Sequence, residues 1–148
     1  MIRVGEPIYA GFVPAVTRVS DSGALTIYNP AHCVSLTVFR GHMDSAHADA
    51  IIRYADQLIA RQSGQHFSFH DYLYLTSYDS AARIKLTQWG KAAGVRVPHV
   101  HVLQRSKIVA MGVAAAGLAL SLVGTTLHSY SNRDDFVTVL TRHIDAVC

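Results

Sequence analysis

The sequence predicts an α/β fold in which one small, mixed and largely parallel β-sheet is covered by helices. Short runs of β-branched and apolar residues alternate with segments of helical periodicity, which is the order that builds parallel sheets. Hydrophobic residues make up 50% of the 148 positions and charged residues 16%, a balance that supports a folded core. We assign residues 23–148 to this domain, and residues 1–22 to an N-terminal arm or short strand.

Each predicted element rests on a local pattern. The strands are runs rich in valine, isoleucine, threonine and aromatic residues, and the first two flank an Asn29-Pro30 turn typical of a hairpin. The helices show apolar residues three and four apart, after a serine or aspartate that can cap a helix start. The resulting order is a strand at 24–28, a strand at 33–39, a helix at 44–62, a strand at 66–75, a helix at 79–94, a strand at 97–103, a helix at 106–124, a short edge strand or connection at 126–130, and a last helix from 131.

The segment from Ile108 to Gly124 carries no charge and is nearly long enough to span a bilayer. Alanine and glycine dominate it, whereas a membrane-spanning helix favours leucine, isoleucine and phenylalanine. It also follows a strand in a β–α–β–α–β order, in which the next element is a helix packed on the sheet. We therefore predict a buried helix in a soluble protein.

Several stretches between residues 24 and 145 resemble motifs of the STAS family, which includes the SpoIIAA-like anti-sigma-factor antagonists of bacteria. They are Phe39–Asp44 at the end of a strand, Asp71 through Asp79-Ser80 where a strand leads into a helix, Val100–Ser106, and the Gly117-Leu118 helix with the strand Leu127–Ser131. The resemblance implies a small sheet with helices on one face. It also implies a regulatory domain that binds a protein partner and carries out no reaction of its own.

The resemblance also raises the question of a phosphorylation switch. In the antagonists, a serine that follows Asp-Ser is phosphorylated by the partner kinase. The matching position here is Ala81, so the hydroxyl of that switch is absent. Ser80 lies one residue away and could replace it, although capping the helix is the simpler role for this side chain.

Five residues near the carboxyl ends of the predicted strands are candidates for a partner-binding surface. Open α/β sheets place their binding sites at these ends. The candidates are Asp44, Asp71, Tyr78, Asp79 and Ser80. We predict that the partner is another protein or a second copy of the chain, most simply in a homodimer.

Arg105, Ser106 and Lys107 begin the uncharged helix, where two cations oppose the helix dipole. A bound phosphate, nucleotide or lipid headgroup would offset that cost, because backbone N–H groups already face such a site. The alternative, which we favour, is that both cationic side chains point into solvent.

Four histidines are candidates for a metal site. His99 and His101 lie two residues apart on one predicted strand, and His66 and His70 lie four apart on another, so each pair shares a face. Imidazoles from two neighbouring strands could bind zinc or copper. No cysteine or aspartate joins them at a typical ligand spacing, and ordinary sheet or surface histidines are the simpler interpretation.

The sequence favours a non-catalytic interaction or regulatory module, and two alternatives stay open. The first is a small apolar-ligand or lipid carrier, similar to Sec14-like domains, in which small residues at 111–120 would line a cavity. The second is a metal protein or an enzyme that uses the clustered histidines, or a triad of Ser80, Asp71 and a histidine. We expect no cofactor, because the sequence has no phosphate-binding loop, dinucleotide motif or nucleophile elbow.

Charge and cysteine content bear on partners and location. The formal net charge of +3 without a block of lysine or arginine does not favour nucleic acid as a partner. Cys33 and Cys148 fit no zinc or redox motif, and we interpret both as reduced thiols in the cytosol. The N-terminus lacks the apolar run of a signal peptide, and together these features predict a cytoplasmic protein.

Overall fold

Six strands form one sheet in which the spatial order of the strands follows their order along the chain. The structure, a computed structural model, describes Tyr9 and residues 11–146. The elements are β1 (Pro14–Val19), β2 (Gly23–Ala31), β3 (Val34–Met43), α1 (Ser45–Ala60), β4 (Phe67–Tyr78), α2 (Ser80–Ala93), a short 3₁₀ helix (Gly94–Arg96), β5 (His99–Gln104), α3 (Lys107–Ser121), β6 (Thr126–Tyr130) and α4 (Arg133–Ala146).

The sheet is mixed, with an antiparallel and a parallel part. β1, β2 and β3 pair antiparallel, whereas β3, β4, β5 and β6 pair parallel. Each connection between parallel neighbours passes through a helix, because parallel strands need a crossover to return the chain to the same end of the sheet. The predicted mixed, largely parallel sheet is therefore confirmed. The predicted hairpin is also found, but its turn lies at His32-Cys33, because Asn29 and Pro30 belong to β2.

The helices cover both faces of the sheet. On one face, α1, α2 and α3 lie over a core that includes Leu25, Ile27 and Phe39. On the other face, α4 packs Phe136 and Leu140 against apolar side chains of β3, β4 and β5. The STAS resemblance implied helices on one face only. That implication is wrong for this chain, because the second face of the sheet is also apolar and needs its own cover.

α1 begins at the cap that the sequence predicted. The carboxylate of Asp44 accepts a hydrogen bond from the backbone N–H of His47 at 3.0 Å, and the backbone N–H of Asp44 donates to His47 Nδ1 at 3.1 Å. The bond from the His47 N–H lowers the pKa of Asp44. Because the two bonds are reciprocal, they hold the turn between β3 and α1 in one conformation.

Part of the segment predicted as an N-terminal arm is an edge strand of the sheet. β1 lies within it and pairs with β2. Tyr9, further upstream, is buried, and its hydroxyl donates to the carboxylate of Asp71 at 2.7 Å. Residues 1–8 and 10 of the predicted arm lie outside the described residues.

The prediction of a buried helix at 106–124 is wrong for the outer side of α3. Val109 and Leu120 are buried, but large apolar side chains such as Met111 and Leu118 are exposed. α3 packs on α2 and on the end of the sheet formed by β4, β5 and β6, and its remaining side faces solvent. In the part of the chain that the structure describes, no helix combines the length and the apolar character that a membrane crossing requires.

Cys33, which lies just before β3, takes part in a disulfide bond. The prediction of a reduced thiol at this position is therefore wrong. Cys33 no longer supports the prediction of a reducing, cytosolic environment. Cys148 lies outside the described residues.

Candidate functional site

The carboxyl ends of β3 and β4 lie side by side and carry several of the predicted partner-binding residues. Asp44 follows β3 and Asp79 follows β4, and the last residues of the two strands are paired. Asp79 is exposed, and its carboxylate lies 2.8 Å from Nε2 of His42. Ser80, the first residue of α2, is also exposed. The structure thus brings Asp44, Asp79 and Ser80 to one edge of the sheet.

Asp71 does not belong to that edge, because the structure buries it under α4. Its side chain is 1% exposed and accepts hydrogen bonds from the Tyr9 hydroxyl at 2.7 Å and from Arg133 Nη2 at 3.2 Å. Burial and then the neighbouring Asp71 carboxylate raise the pKa of Tyr9, so the phenol stays protonated as the donor. Asp71 therefore joins the N-terminal segment to α4 and presents no surface to a partner.

Tyr78 lies between the strand ends and α3. Its hydroxyl donates to the backbone carbonyl of Ile108 at 3.4 Å. Its ring lies against Gly112, where a Cβ atom would collide with the phenol. Because glycine has no side chain, α3 can approach the end of β4 closely at this point.

Arg105, Ser106 and Lys107 begin α3 as predicted. The Ser106 hydroxyl accepts a hydrogen bond from the backbone N–H of Val109 at 3.5 Å and so caps the helix. Arg105 and Lys107 are exposed, and neither forms an ion pair with a described residue. Their side chains face solvent, and an anion at this helix start stays a prediction.

The structure does not bring the four predicted histidines together. His66 and His70 lie on the side of the sheet covered by α1, α2 and α3. His99 and His101 lie on the α4 side, because the register of β4 and β5 places His101 beside Phe69, one residue out of phase with His70. Among the described residues, no group of three or more histidine, cysteine, aspartate or glutamate side chains is arranged to hold a metal ion.

A different set of imidazoles meets under α4, and two of its members, His128 and His143, were not among the predicted metal ligands. His101 stacks on His128 of β6 with ring centroids 4.6 Å apart, and His99 Nδ1 lies 3.0 Å from His128 Nε2. His143 of α4 lies 5.5 Å from the His101 ring. The sequence shows that alternate side chains of β6 share a face. It does not show the register between β5 and β6, and this register pairs His101 with His128.

Burial keeps the central ring of this cluster uncharged. Desolvation, and then the neighbouring His128, lowers the pKa of His101 to about 3, and desolvation also lowers the pKa of His128. His101 further stacks on Phe69, with ring centroids 4.3 Å apart. His101 therefore acts at neutral pH as a neutral aromatic ring in the core under α4.

An apolar cavity of about 130 Å³ lies on the other face, between the sheet and α1, α2 and α3. Ala116 of α3 faces this space with a small side chain, and Gly112 lets the Tyr78 ring, which also lines the cavity, lie against the helix. A cavity behind residues 111–120 is the feature expected of an apolar-ligand carrier, the first of the two alternatives left open by the sequence. Its apolar lining includes Ile51, Leu86, Trp89, Val113, Val102 and Leu120.

Four polar residues of β3 and β4, which we call the polar strip, form part of the cavity floor: Ser35, Thr37, Ser68 and His70. Ser35 is paired with Ser68 and Thr37 with His70 in the strand register, so the four side chains are neighbours. His70 Nε2 lies 2.7 Å from the Ser68 hydroxyl. Burial, and then the nearby His66, lowers the pKa of His70 to about 4, so the strip is uncharged at neutral pH.

The outer side of α3 carries a line of apolar side chains, which we call the apolar stripe: Ile108, Met111, Ala115, Leu118 and Leu122. Its four large members are exposed at 59%, 73%, 74% and 80% in sequence order. An open groove of about 550 Å³ runs beside the stripe, between α3 and β6, and Leu118 forms part of its wall. α3 therefore presents apolar surface in two directions, toward the cavity and toward solvent.

Comparisons with known proteins bear on the fold. A scan of family models finds none that matches the chain, and a search of curated proteins finds no match either. Among solved structures, an uncharacterised protein of the DUF3478 family with a SpoIIAA-like fold, from Shewanella loihica PV-4, is similar to this chain. The similarity has a TM-score of 0.56 at 10% sequence identity, and it covers 85% of this chain and 99% of that chain. At this identity the similarity concerns the fold alone, and it shows that this chain has a SpoIIAA-like fold.

Proposed function

We propose that this chain is a non-catalytic interaction module that associates with a second copy of itself through α3. The observation that carries the proposal is the apolar stripe, whose large members are 59% to 80% exposed. Contiguous apolar surface of this kind marks interaction sites in folded proteins, whereas single exposed apolar residues do not. The SpoIIAA-like fold supports the same assignment, since the STAS resemblance implies partner binding.

The spacing of the stripe fits a helix as its partner. Its residues 108, 111, 115, 118 and 122 are separated by three, four, three and four positions. This is the spacing with which two helices interlock their side chains along a seam. A second α3 offers the same spacing, and a twofold axis between two copies would bring identical surfaces together.

The charges near α3 favour an antiparallel pair of copies. Arg105 and Lys107 lie at the N-terminal end, and no charged residue follows Lys107 within the helix. In an antiparallel pair, these cations would lie beside the C-terminal end of the other α3, where the helix dipole is negative. The two cationic ends would also be kept apart. A parallel pair would place four cations together.

The size of the contact predicts a weak, concentration-dependent dimer. α3 has 15 residues and is about 22 Å long at 1.5 Å per residue. One helix pair of this length buries less surface than a standard stable interface, so we expect a dissociation constant on the order of micromolar. The groove between α3 and β6 supplies additional contact area for the second copy.

The positions of Ser80 and Asp71 support the non-catalytic part of the proposal. Ser80 is exposed at the start of α2, whereas Asp71 is buried under α4 with its Oδ2 atom accepting from Tyr9 and Arg133. A serine–histidine–aspartate triad requires these groups to converge on one histidine. Because Ser80 and Asp71 lie on different sides of the sheet, they do not meet at one histidine.

Sedimentation velocity from about 1 to about 200 μM chain tests the proposal across the expected range of affinity. We expect the wild-type chain to shift from monomer to dimer. Leu118→Glu should remain monomeric, because it places a charge at the centre of the stripe. Val95→Glu is the matched control, since Val95 is 77% exposed but lies outside α3. A wild-type chain that stays monomeric, or equal association of both variants, would overturn the proposal.

A further inference from the structure

We infer that the cavity between the sheet and the helices α1, α2 and α3 binds a small neutral molecule, about the size of one aromatic ring, that carries a single hydrogen-bonding group such as a phenolic hydroxyl. This inference does not depend on self-association through α3. It rests on the volume and lining of the cavity and on the hydrogen bonds of the polar strip.

The volume and walls of the cavity define the apolar part of the ligand. The cavity measures about 130 Å³, and apolar cavities of about 150 Å³ in other proteins take up benzene. Trp89 presents its ring to the cavity while its N–H donates to Asp56 at 2.7 Å, so the indole nitrogen is already occupied. A ring or a short hydrocarbon chain therefore meets mainly carbon atoms along the walls.

The hydrogen bonds of the cavity floor leave one hydroxyl proton without an acceptor. Ser68, His70 and Tyr72 form a chain, because His70 Nε2 lies 2.7 Å from the Ser68 hydroxyl and His70 Nδ1 lies 3.1 Å from the Tyr72 hydroxyl. The neutral chain holds three polar protons: two on hydroxyls and one on the imidazole. Its two hydrogen bonds use two of them. In either tautomer, one hydroxyl of Ser68 or Tyr72 keeps a proton that it can donate, and both residues line the cavity.

Thr37 supplies a second group for the ligand. It lines the cavity beside His70, and no hydrogen bond joins its hydroxyl to a described residue. Thr37 is nearly inaccessible from outside the protein, so only a molecule in the cavity could reach this hydroxyl. A ligand hydroxyl that accepts from the Ser68–His70–Tyr72 chain can donate to Thr37, which would satisfy both.

The polar strip selects a neutral ligand over an anion. None of its four members is charged at neutral pH, because His70 is held neutral by burial. A carboxylate on the floor would lose its hydration without gaining a cation. Arg83 also borders the cavity and forms no ion pair with a described residue, but it is partly exposed to solvent. An anionic ligand would use Arg83 and leave the strip unused, so the experiment must include one.

Titration of isotope-labelled protein with phenol, toluene and benzoate, followed by amide NMR shifts, tests the inference. Phenol and toluene have nearly the same shape and differ by a hydroxyl in place of a methyl. A purely apolar cavity prefers toluene, because burying an unpaired hydroxyl is unfavourable. We expect phenol to bind at least about fivefold more tightly than toluene, and benzoate to bind more weakly than phenol, with shifts at residues that line the cavity.

Matched threonine variants assign the preference to the polar strip. Thr37→Val keeps the shape of the side chain and should lower phenol affinity by about three- to tenfold while leaving toluene affinity unchanged. Thr26→Val is the control, because Thr26 is also buried in the sheet but points to the opposite face. Ala116→Phe, which fills the cavity, should abolish binding of both molecules.

Any of four results would overturn the inference. Toluene could bind as tightly as phenol, which would make the cavity purely apolar. Benzoate could bind more tightly than phenol, which would assign recognition to Arg83 and an anionic ligand. Thr37→Val could leave phenol affinity unchanged, or the shifts could map outside the cavity. Sedimentation of the same samples shows separately whether self-association holds.

Discussion

Acidification from pH 7 to pH 5 is expected to remove much of the stability of this fold, through His66 and His101, which are buried, and His70, which lines the cavity. Desolvation is the main cause that lowers the pKa of His66 and His70 to about 4 and that of His101 to about 3. In the unfolded chain a histidine titrates near pH 6.5. As the pH falls below that value, these histidines bind protons in the unfolded chain but stay neutral in the folded chain. The stabilisation is therefore complete above pH 6.5 and is lost as the pH falls toward the folded pKa values.

The size of the effect follows from the gap between the two pKa values. Each histidine contributes about 1.4 kcal/mol per pH unit between its unfolded and folded pKa. At pH 5 the loss is about 2 kcal/mol for each of the three histidines and about 6 kcal/mol together. This is comparable with the whole free energy of unfolding of a typical domain, about 5–15 kcal/mol. We therefore expect unfolding to begin near pH 5.

Urea unfolding followed by circular dichroism, at several pH values between about 7 and 5, measures this dependence. His101→Phe removes one of the three groups, and the new ring can keep the stacking on Phe69. The Nε2 atom of His101 has no hydrogen-bond partner among the described residues, so the substitution breaks only the bond between Nδ1 and Tyr130. The slope of unfolding free energy against pH should fall by about 1.4 kcal/mol per unit, roughly a third of its wild-type value.

His32→Gln is the control for that variant, because His32 is exposed. Its slope should match that of the wild-type chain. The reasoning is refuted if the unfolding free energy is flat between pH 7 and pH 5. It is also refuted if the slopes of His101→Phe and the wild-type chain coincide, because buried neutral histidines could then not be the cause.

Three further substitutions test packing and local structure, each by the midpoint of urea unfolding at neutral pH. Asp71→Asn should destabilise the fold by about 3–5 kcal/mol, since it leaves the largely buried guanidinium of Arg133 without its counter-charge. Gly41→Ala should cost about 1–3 kcal/mol, because Gly41 has φ +97° and its Cβ would meet backbone, whereas Gly64→Ala, in open space, should be close to neutral. Asp44→Ala should cost about 1 kcal/mol through loss of the α1 cap, and unchanged stability would contradict the capping role.

The order of elements could be predicted because each element leaves a local pattern. The run from Cys33 to Phe39 is β-branched, and the residues from Ala46 to Ile59 repeat at helical spacing. Such patterns depend on the nearest few residues and need no knowledge of the remainder of the fold. They placed the hairpin, the crossover helices and the caps at Asp44 and Ser106 close to where the structure has them.

The candidate site could not be predicted in the same way, because it depends on how distant elements meet. The phase of β4 relative to β5 decides that His70 faces the cavity while His101 faces α4, and single-strand spacing carries no information on that phase. The cavity is lined by side chains from five strands and three helices, so no local pattern marks it. The exposure of Met111 and Leu118 depends on which side of α3 packs on α2 and on the sheet, which is again a tertiary effect.

The distribution of side-chain size around α3 connects the two proposed sites. A surface helix ordinarily packs its larger apolar side chains inward. In the middle of α3 the order is reversed, since Gly112 and Ala116 face the sheet while Met111 and Leu118 face solvent. A leucine in place of Ala116 would fill the cavity, and polar residues at the outer positions would remove exposed apolar surface. The observed side chains are therefore less favourable for stability on both sides of α3. The two proposals would together account for this arrangement, with a small molecule within the cavity and a second copy of the chain on the stripe.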